Sequence, residues 1–356
     1  MSLEQKGKNL MKRALLIFLL TSIWPLIGHA QAVYVDSNTG DDRNPGTREA
    51  PLFSVGRAAE IVRSRDNNVC TIKLNPGIYI LNHHVSVETE KETAGKRIVI
   101  EASILPDDTS WTPEKMPVIA SRSVKGEIPG LHHWVVAFLI NESHVTIRGI
   151  KFHGYFYPHT RYFPIARFNK STTDLKVEQC MFVGDANVSQ IQVGVIAFEN
   201  EIMVDHCVFY KVRNAVVFAG DSGSFTNSII FGTSQAVWTA SPARGFYFGN
   251  SIVANCRYVW VNNYPGAARC TMSNCLVVNN RHHMGIPDSL RLKPGEFEIS
   301  EIGVIEEGDI SLRLTGVDDR PFLDEIDRPL PHDYMHVVPG TPGFDIGAGI
   351  FKQRKQ

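Results

Sequence analysis

The sequence predicts an all-β solenoid, a stack of similar coils behind a helical cap. Three observations predict it. A phrase of apolar alternation, one small or polar residue and a second apolar alternation recurs as VTIRGIKF (145–152), LKVEQCMF (175–182), IMVDHCVF (202–209), SFTNSIIF (224–231), FYFGNSIV (246–253) and CTMSNCLV (270–277). The residues just after the polar position, Ile150, Cys180, Cys207, Ser228, Ser251 and Cys275, are spaced 30, 27, 21, 23 and 24 apart, a period that marks stacked repeats. The remaining composition agrees: 19 Phe and 10 Tyr with many Val and Ile favour strands, and only residues 55–65 carry a helical pattern.

Taken in order, residues 1–32 read as a secretory signal. Lys12 and Arg13 precede the apolar run 14–28, and Ala30-Gln31-Ala32 supplies a small-x-small cleavage site. Met11 is an alternative start. The run holds Pro25 and is shorter than the ~20 residues of a bilayer span. The expectation is an exported chain, secreted or periplasmic, cleaved near Ala32, without membrane insertion of its mature part. A net charge of −1 points away from nucleic acid as partner. Oligomeric state is not legible.

Residues 33–81 form a strand, a turn-rich loop, a helix and two short strands. Ser54 is a natural N-cap, and Val55, Ala58, Ala59 and Val62 share one helical face. Asn75-Pro76-Gly77 is a turn signal. Residues 82–280 are the coils, with KRIVIEAS (96–103) and WVVAFLINE (134–142) as early strands and 104–131 as an excursion. Residues 281–356 are a covering segment in which the repeat fades.

The order strand, Gly40, Asn44-Pro45-Gly46-Thr47, Pro51, helix, then Ile72, Leu74, Pro76-Gly77 and Tyr79 resembles the N-terminal cap of exported right-handed parallel β-helix proteins, the pectate-lyase-like superfamily. Phe344-Asp345-Ile346-Gly347-Ala348 resembles a closing phrase of the same proteins. The resemblance implies a right-handed parallel β-helix with an N-terminal amphipathic helix cap. For function it implies polysaccharide lyases, glycoside hydrolases or members without known activity, and Ca²⁺ by analogy. No acidic cluster of the Ca²⁺ type is evident in the sequence, no zinc-type spacing occurs, and no cofactor is evident beyond the Ca²⁺ that the resemblance allows.

The polar position of the phrase holds Gly149, Gln179, His206, Asn227, Asn250 and Asn274, read as a ladder at a tight bend. That makes Asp205-His206-Cys207 scaffold rather than a catalytic set. Cys180, Cys207 and Cys275 read as buried thiols, while Cys70, Cys256 and Cys270 show no pairing pattern.

A further strand follows each loop: 164–169, 193–200, 214–220, 235–240 and 257–263. Aligned with one another, these strands place Ala166, Ile196, Val216, Val237 and Val259 inward. Arg167, Trp238 and Trp260 then face outward. Outward indoles suit sugar faces, so Trp238 and Trp260, with Arg244, Tyr157 and Glu199, are the expected substrate-binding residues. A lyase acting on a uronic acid needs cations to neutralise its carboxylate and a base for the adjacent proton. Arg167, His159, Arg161, Lys211 and Arg213 are the candidates. The expected partner is an acidic polysaccharide. The alternatives are a non-catalytic carbohydrate-binding or surface-associated protein, and a hydrolase using carboxylates such as Asp185, Glu199 or Asp221.

Overall fold

The structure is a computed structural model. It describes residues 32–64, 70–90, 96–155, 160–185, 189–198, 201–220, 222–239, 245–262, 268–285, 297–304, 310, 312 and 330–352. The strands form three parallel sheets of ten, eight and eight strands, and the chain visits them in rotation. One coil runs through Val145–Arg148 in the first sheet, Lys151–His153 in the second and Arg161–Arg167 in the third. The next begins at Leu175–Glu178, paired in parallel with Val145–Arg148. This is the parallel β-helix, in which each coil depends on its neighbours to bury its inner apolar face.

The first sheet follows the alternation. Leu175 pairs with Val145 and Ile202, and Val177 with Ile147 and Val204, all buried. Inside, phenylalanines stack from coil to coil. Phe182 lies 5.0 Å from Phe152 and 4.5 Å from Phe209 between ring centres, and Phe225 lies 4.7 Å from Phe248.

The polar position is a left-handed bend. φ is 72° at Gly149, 52° at Gln179, 51° at His206, 51° at Asn227, 48° at Asn250 and 51° at Asn274. Asn and Gly dominate because a side chain in this conformation clashes with the following carbonyl unless it is absent or short and polar. The ladder bonds are partial: Asn274 Nδ2 donates to Asn250 Oδ1 at 2.9 Å, and Asn227 Nδ2 to Asp205 Oδ1 at 2.8 Å. A second such column, Lys211, Gly232, Asn255 and Asn279 (φ 50–67°), turns the chain from the second sheet into the third.

The residue after the first bend points inward. Cys180, Cys207 and Cys275 are buried free thiols, each donating to the carbonyl two residues back, as Ser228 and Ser251 do in the same column. All six cysteines are free. Burial pushes the Cys256 and Cys275 thiols up to about 11.

The helix Val55–Ser64 closes the N-terminal end. It touches strands of all three sheets and buries Val55, Ala58, Ala59, Ile61 and Val62. Ser54 Oγ accepts from Arg57 N at 3.2 Å, which is the expected cap. The loop before it folds back on the first strand, where Leu52 N donates to Tyr34 O at 2.9 Å.

Two segments cover the second sheet's outer face. The excursion contributes Trp111 and Met116, and the C-terminal part contributes Ile310, Leu312, Tyr334, Met335, Val337, Ala348 and Ile350. They lie against Met181, Val183, Val208, Tyr210, Ile229, Ile252 and Leu276. Residues 310, 312 and 330–352 therefore run along the side of the stack, whereas the coils continue past residue 280: His282–Gly285 pairs in the third sheet and Phe297–Ile302 in the first. The excursion is also shorter than the sequence suggests, because Val118–Ser121 is a second-sheet strand within it.

The bend yields a first prediction. Asn255 is exposed at φ 56°. Asn255→Val should lower unfolding free energy by about 2 kcal/mol, while Asn255→Gly stays within about 0.5 kcal/mol, as read from paired denaturant titrations. The buried thiols yield a second: Cys180, Cys207, Cys256 and Cys275 should resist iodoacetamide in the native protein and react at once in denaturant, scored by peptide mass spectrometry.

Candidate functional site

The third sheet departs from the sequence reading in register and in phase. Tyr258 pairs with Gln235, so Trp260 pairs with Val237, and Val261 with Trp238. Trp260 therefore faces the core. It is fully buried, edge-on to Phe248 at 5.6 Å and Phe246 at 6.2 Å. It is not a ligand platform. The strand Tyr258–Asn262 sits one residue out of the register expected from sequence. Counting from the bend gives the observed register: the same column lies ten residues after the marker at Val217, Trp238 and Val261.

Arg167 is also corrected. It pairs with Ala197, is fully buried and faces inward, with Nη1 reaching Glu201 O at 3.5 Å. Its neighbours Ala166 and Ile196 face outward instead of inward. The strand is apolar on both faces, so alternation gave no phase.

What the outer face of the third sheet carries is an apolar cluster. Ile128, Val136, Leu139, Phe163, Ala166, Val193, Ile196 and Val217 are its buried members, and Trp134, Phe168, Phe198 and Trp238 are packed against it, half-buried. The rings run in series. Trp134 stacks on Phe163 at 4.5 Å and lies 5.3 Å from Phe168, which lies 5.7 Å from Phe198. Above them opens a cleft of about 440 Å³, lined among others by Trp134, Phe198, Trp238, Gln235, Arg161 and Arg213. Three of the predicted residues, Arg161, Arg213 and Trp238, thus meet in one place. Trp134 and Phe198 were missed; their apolar strands were read only as core.

A second cleft of about 490 Å³ adjoins the first through Arg213 and is lined by Asp185, Gln190, Lys211, Val212, Gly232 and Ser234. Lys211 stands on the second bend column with its ammonium 5.1 Å from the Tyr210 ring. Arg161, Lys211 and Arg213 share one electrostatic property: none is in an ion pair among the described residues. Cations on the first sheet behave differently. Lys73 and Arg148 both pair with Glu101, and Arg97 and Lys176 with Asp174. A slightly larger cleft, about 520 Å³, lies at the N-terminal end beside Phe53, Ile80, His83 and Arg122. It lacks the joined rings and row of cations.

The aromatic loop before Arg161 divides. His153 and Tyr155 are buried, with His153 Nδ1 against Gly154 O and Tyr155 Oη donating to Ser123 O. Tyr162 is enclosed as well, and burial pushes its hydroxyl far above the ordinary tyrosine range. Tyr157, His159, Glu199, Arg244 and Asp221 lie outside the described residues. Asp205, His206 and Cys207 are each tied into the scaffold, although His206 Nε2 lies 4.0 Å from Asp205 Oδ2. Asp205 accepts from Thr226 and Asn227, His206 Nδ1 meets Gly349 O at 3.0 Å, and Cys207 is buried. Among the described residues no three His, Cys, Asp or Glu side chains gather as a metal site, so no Ca²⁺ ligand can be named.

No protein-family model matches the chain, and no curated protein sequence matches it. Solved structures similar to it include a rhamnogalacturonan lyase, 14% identical over 90% of this chain and 99% of that one, with a TM-score of 0.41. Another is a pectin methylesterase from Aspergillus niger, 11% identical over 82% and 88%, with a TM-score of 0.44. A third is a GH136 lacto-N-biosidase from Eubacterium ramulus, 10% identical over 78% and 68%, with a TM-score of 0.38. Likeness at this level carries no argument about activity.

The two tryptophans should now separate experimentally. Trp260→Ala should cost about 3–5 kcal/mol of stability, whereas Trp238→Ala should cost no more than about 1–2 kcal/mol. Thermal melts of both variants test the register directly.

Proposed function

We propose that this chain is an exported protein that binds and acts on an acidic polysaccharide in the joined clefts on the third sheet. One observation carries the reading: unpaired Arg161 and Arg213 flank a cleft walled by Trp134, Phe198 and Trp238. Flat aromatic faces match the apolar faces of sugar rings. Unpaired guanidinium groups beside them match carboxylates, which they bind through paired N–H donors. Export is read from the signal-like residues 1–32.

For the chemistry, the reading is elimination at a uronate. Arg161 and Arg213 neutralise the carboxylate, which makes the adjacent C–H more acidic. Lys211, in the adjoining cleft, is the base of this scheme. It takes that proton, the electron pair forms a C=C bond, and the C–O bond at the neighbouring carbon breaks. The departing glycosyl oxygen then takes a proton. The second reading is hydrolysis, favoured only by Asp185 in the same cleft. It needs a partner carboxylate about 5–10 Å away. A non-catalytic binder needs the first cleft alone.

Pectic, alginate and glycosaminoglycan polymers should be screened by absorbance of the unsaturated uronate product. The expected result is turnover on one of them. Lys211→Ala should reduce kcat at least a hundredfold, and Arg213→Ala should reduce kcat/KM further than it raises KM. New reducing ends without absorbance would support hydrolysis. Binding without either signal would leave a binding protein, and no binding to any of the three would overturn the reading.

A further inference from the structure

The unpaired cations do not stop at the cleft. The column Asn214, Gln235, Tyr258, His282 is one register position on four successive coils. The residue before each is Arg213, Ser234, Arg257 and Arg281. Arg213, Arg257 and Arg281 are all exposed, and none is ion-paired among the described residues. Arg257 lies over the Tyr258 ring with its guanidinium carbon 5.1 Å from the centroid. Tyr258 in turn stacks on His282 at 4.9 Å and 23°. The ridge therefore repeats the combination of the cleft, cation beside flat ring, on the two coils beyond it.

We propose that Arg257, Tyr258, Arg281 and His282 form a second binding stretch, continuous with the cleft through Arg213 and Gln235. It takes the following units of the same polyanionic chain, laid across the strands along the stack axis. This rests on the reading of the cleft as an acidic-glycan site. The spacing supports it. Coils stand about 4.8 Å apart, so Arg213 to Arg281 spans three steps, or about 14 Å, and the whole row fits within roughly two Debye lengths at physiological salt. Charges fixed on one edge of a regular stack face a regular, extended polyanion better than a compact one, because every step along the ligand meets the same geometry. Two flat rings stacked face to face leave an outer face for a sugar ring. The ridge thus binds length: short oligomers fill the cleft, and longer ones gain the ridge.

The test is affinity against length. Size-defined oligogalacturonides and heparin oligosaccharides, from disaccharide to octasaccharide, are titrated by calorimetry into the full-length wild type and the R257Q/R281Q double variant. In the wild type, octasaccharide should bind at least tenfold tighter than disaccharide, about the effect of two charge contacts, and the ratio should shrink with added salt. In the double variant the ratio should fall to within about twofold, with an unchanged melting temperature. The single variants R257Q and R281Q should show intermediate ratios, and they decide the matter if the double variant does not fold. A length-independent wild type, or a ratio retained in the variants, overturns the second stretch while leaving the cleft intact. Failure of both probes to bind the wild type at any length overturns the cleft reading and this inference together.

Discussion

Backbone pairing between coils is the constraint on which everything else depends. Each strand donates and accepts in parallel with the coil before and after it, so each coil must return to the same register within a fraction of a residue. The left-handed bends enforce this. A non-glycine residue there carries a penalty of about 1–2 kcal/mol, and the chain accepts it at His206, Asn227, Asn250 and Asn274, and again at Lys211, Asn255 and Asn279. Hydrogen bonding within the stack and burial of the residue after the first bend offset that cost. Once two corners of the coil are fixed, the facing of the strands that leave them follows.

That explains why part of the molecule was legible and part was not. The first sheet has one buried and one polar face, so alternation at Leu175/Val177 or Ile202/Val204 reads directly. The bend reads from Asn and Gly. The third sheet buries apolar residues on both faces, Ile165 and Val195 inward and Ala166 and Ile196 outward. Alternation then carries no phase, and Arg167 was placed on the wrong side. Trp260 differs for another reason: its strand is shifted by one residue, and the register counts from the corners. Lys211, Arg213 and Trp238 line the two clefts, as corner and count place them.

The same logic separates charge that is buried and paired from charge that is left open. Glu101 shows the first case. Burial alone would raise its pKa, but hydrogen bonds from Lys73 and Arg148 outweigh that and hold it below the ordinary glutamate value. A carboxylate so placed contributes stability that is present above its unfolded pKa and lost as pH falls through the folded one. Arg167 is withdrawn from solvent too: it is fully buried, with Nη1 3.5 Å from Glu201 O. Neither side chain is exposed to a ligand.

The cations on the third-sheet corner are the complement. A net charge of −1 over 356 residues hides them, because a sum says nothing about placement. Arg161, Lys211, Arg213, Arg257 and Arg281 lie along one ridge, with no carboxylate paired to them among the described residues and aromatic rings at hand. Their mutual repulsion in the empty protein is mild, because each is exposed or partly exposed and screened by salt. It is nevertheless unfavourable, and nothing in the coil geometry requires it. Ser234 occupies the same column without a charge, so the fold tolerates a neutral residue there. A stack that neutralises its cations on one face and leaves them open on another has the charge distribution expected of a surface that meets an anion.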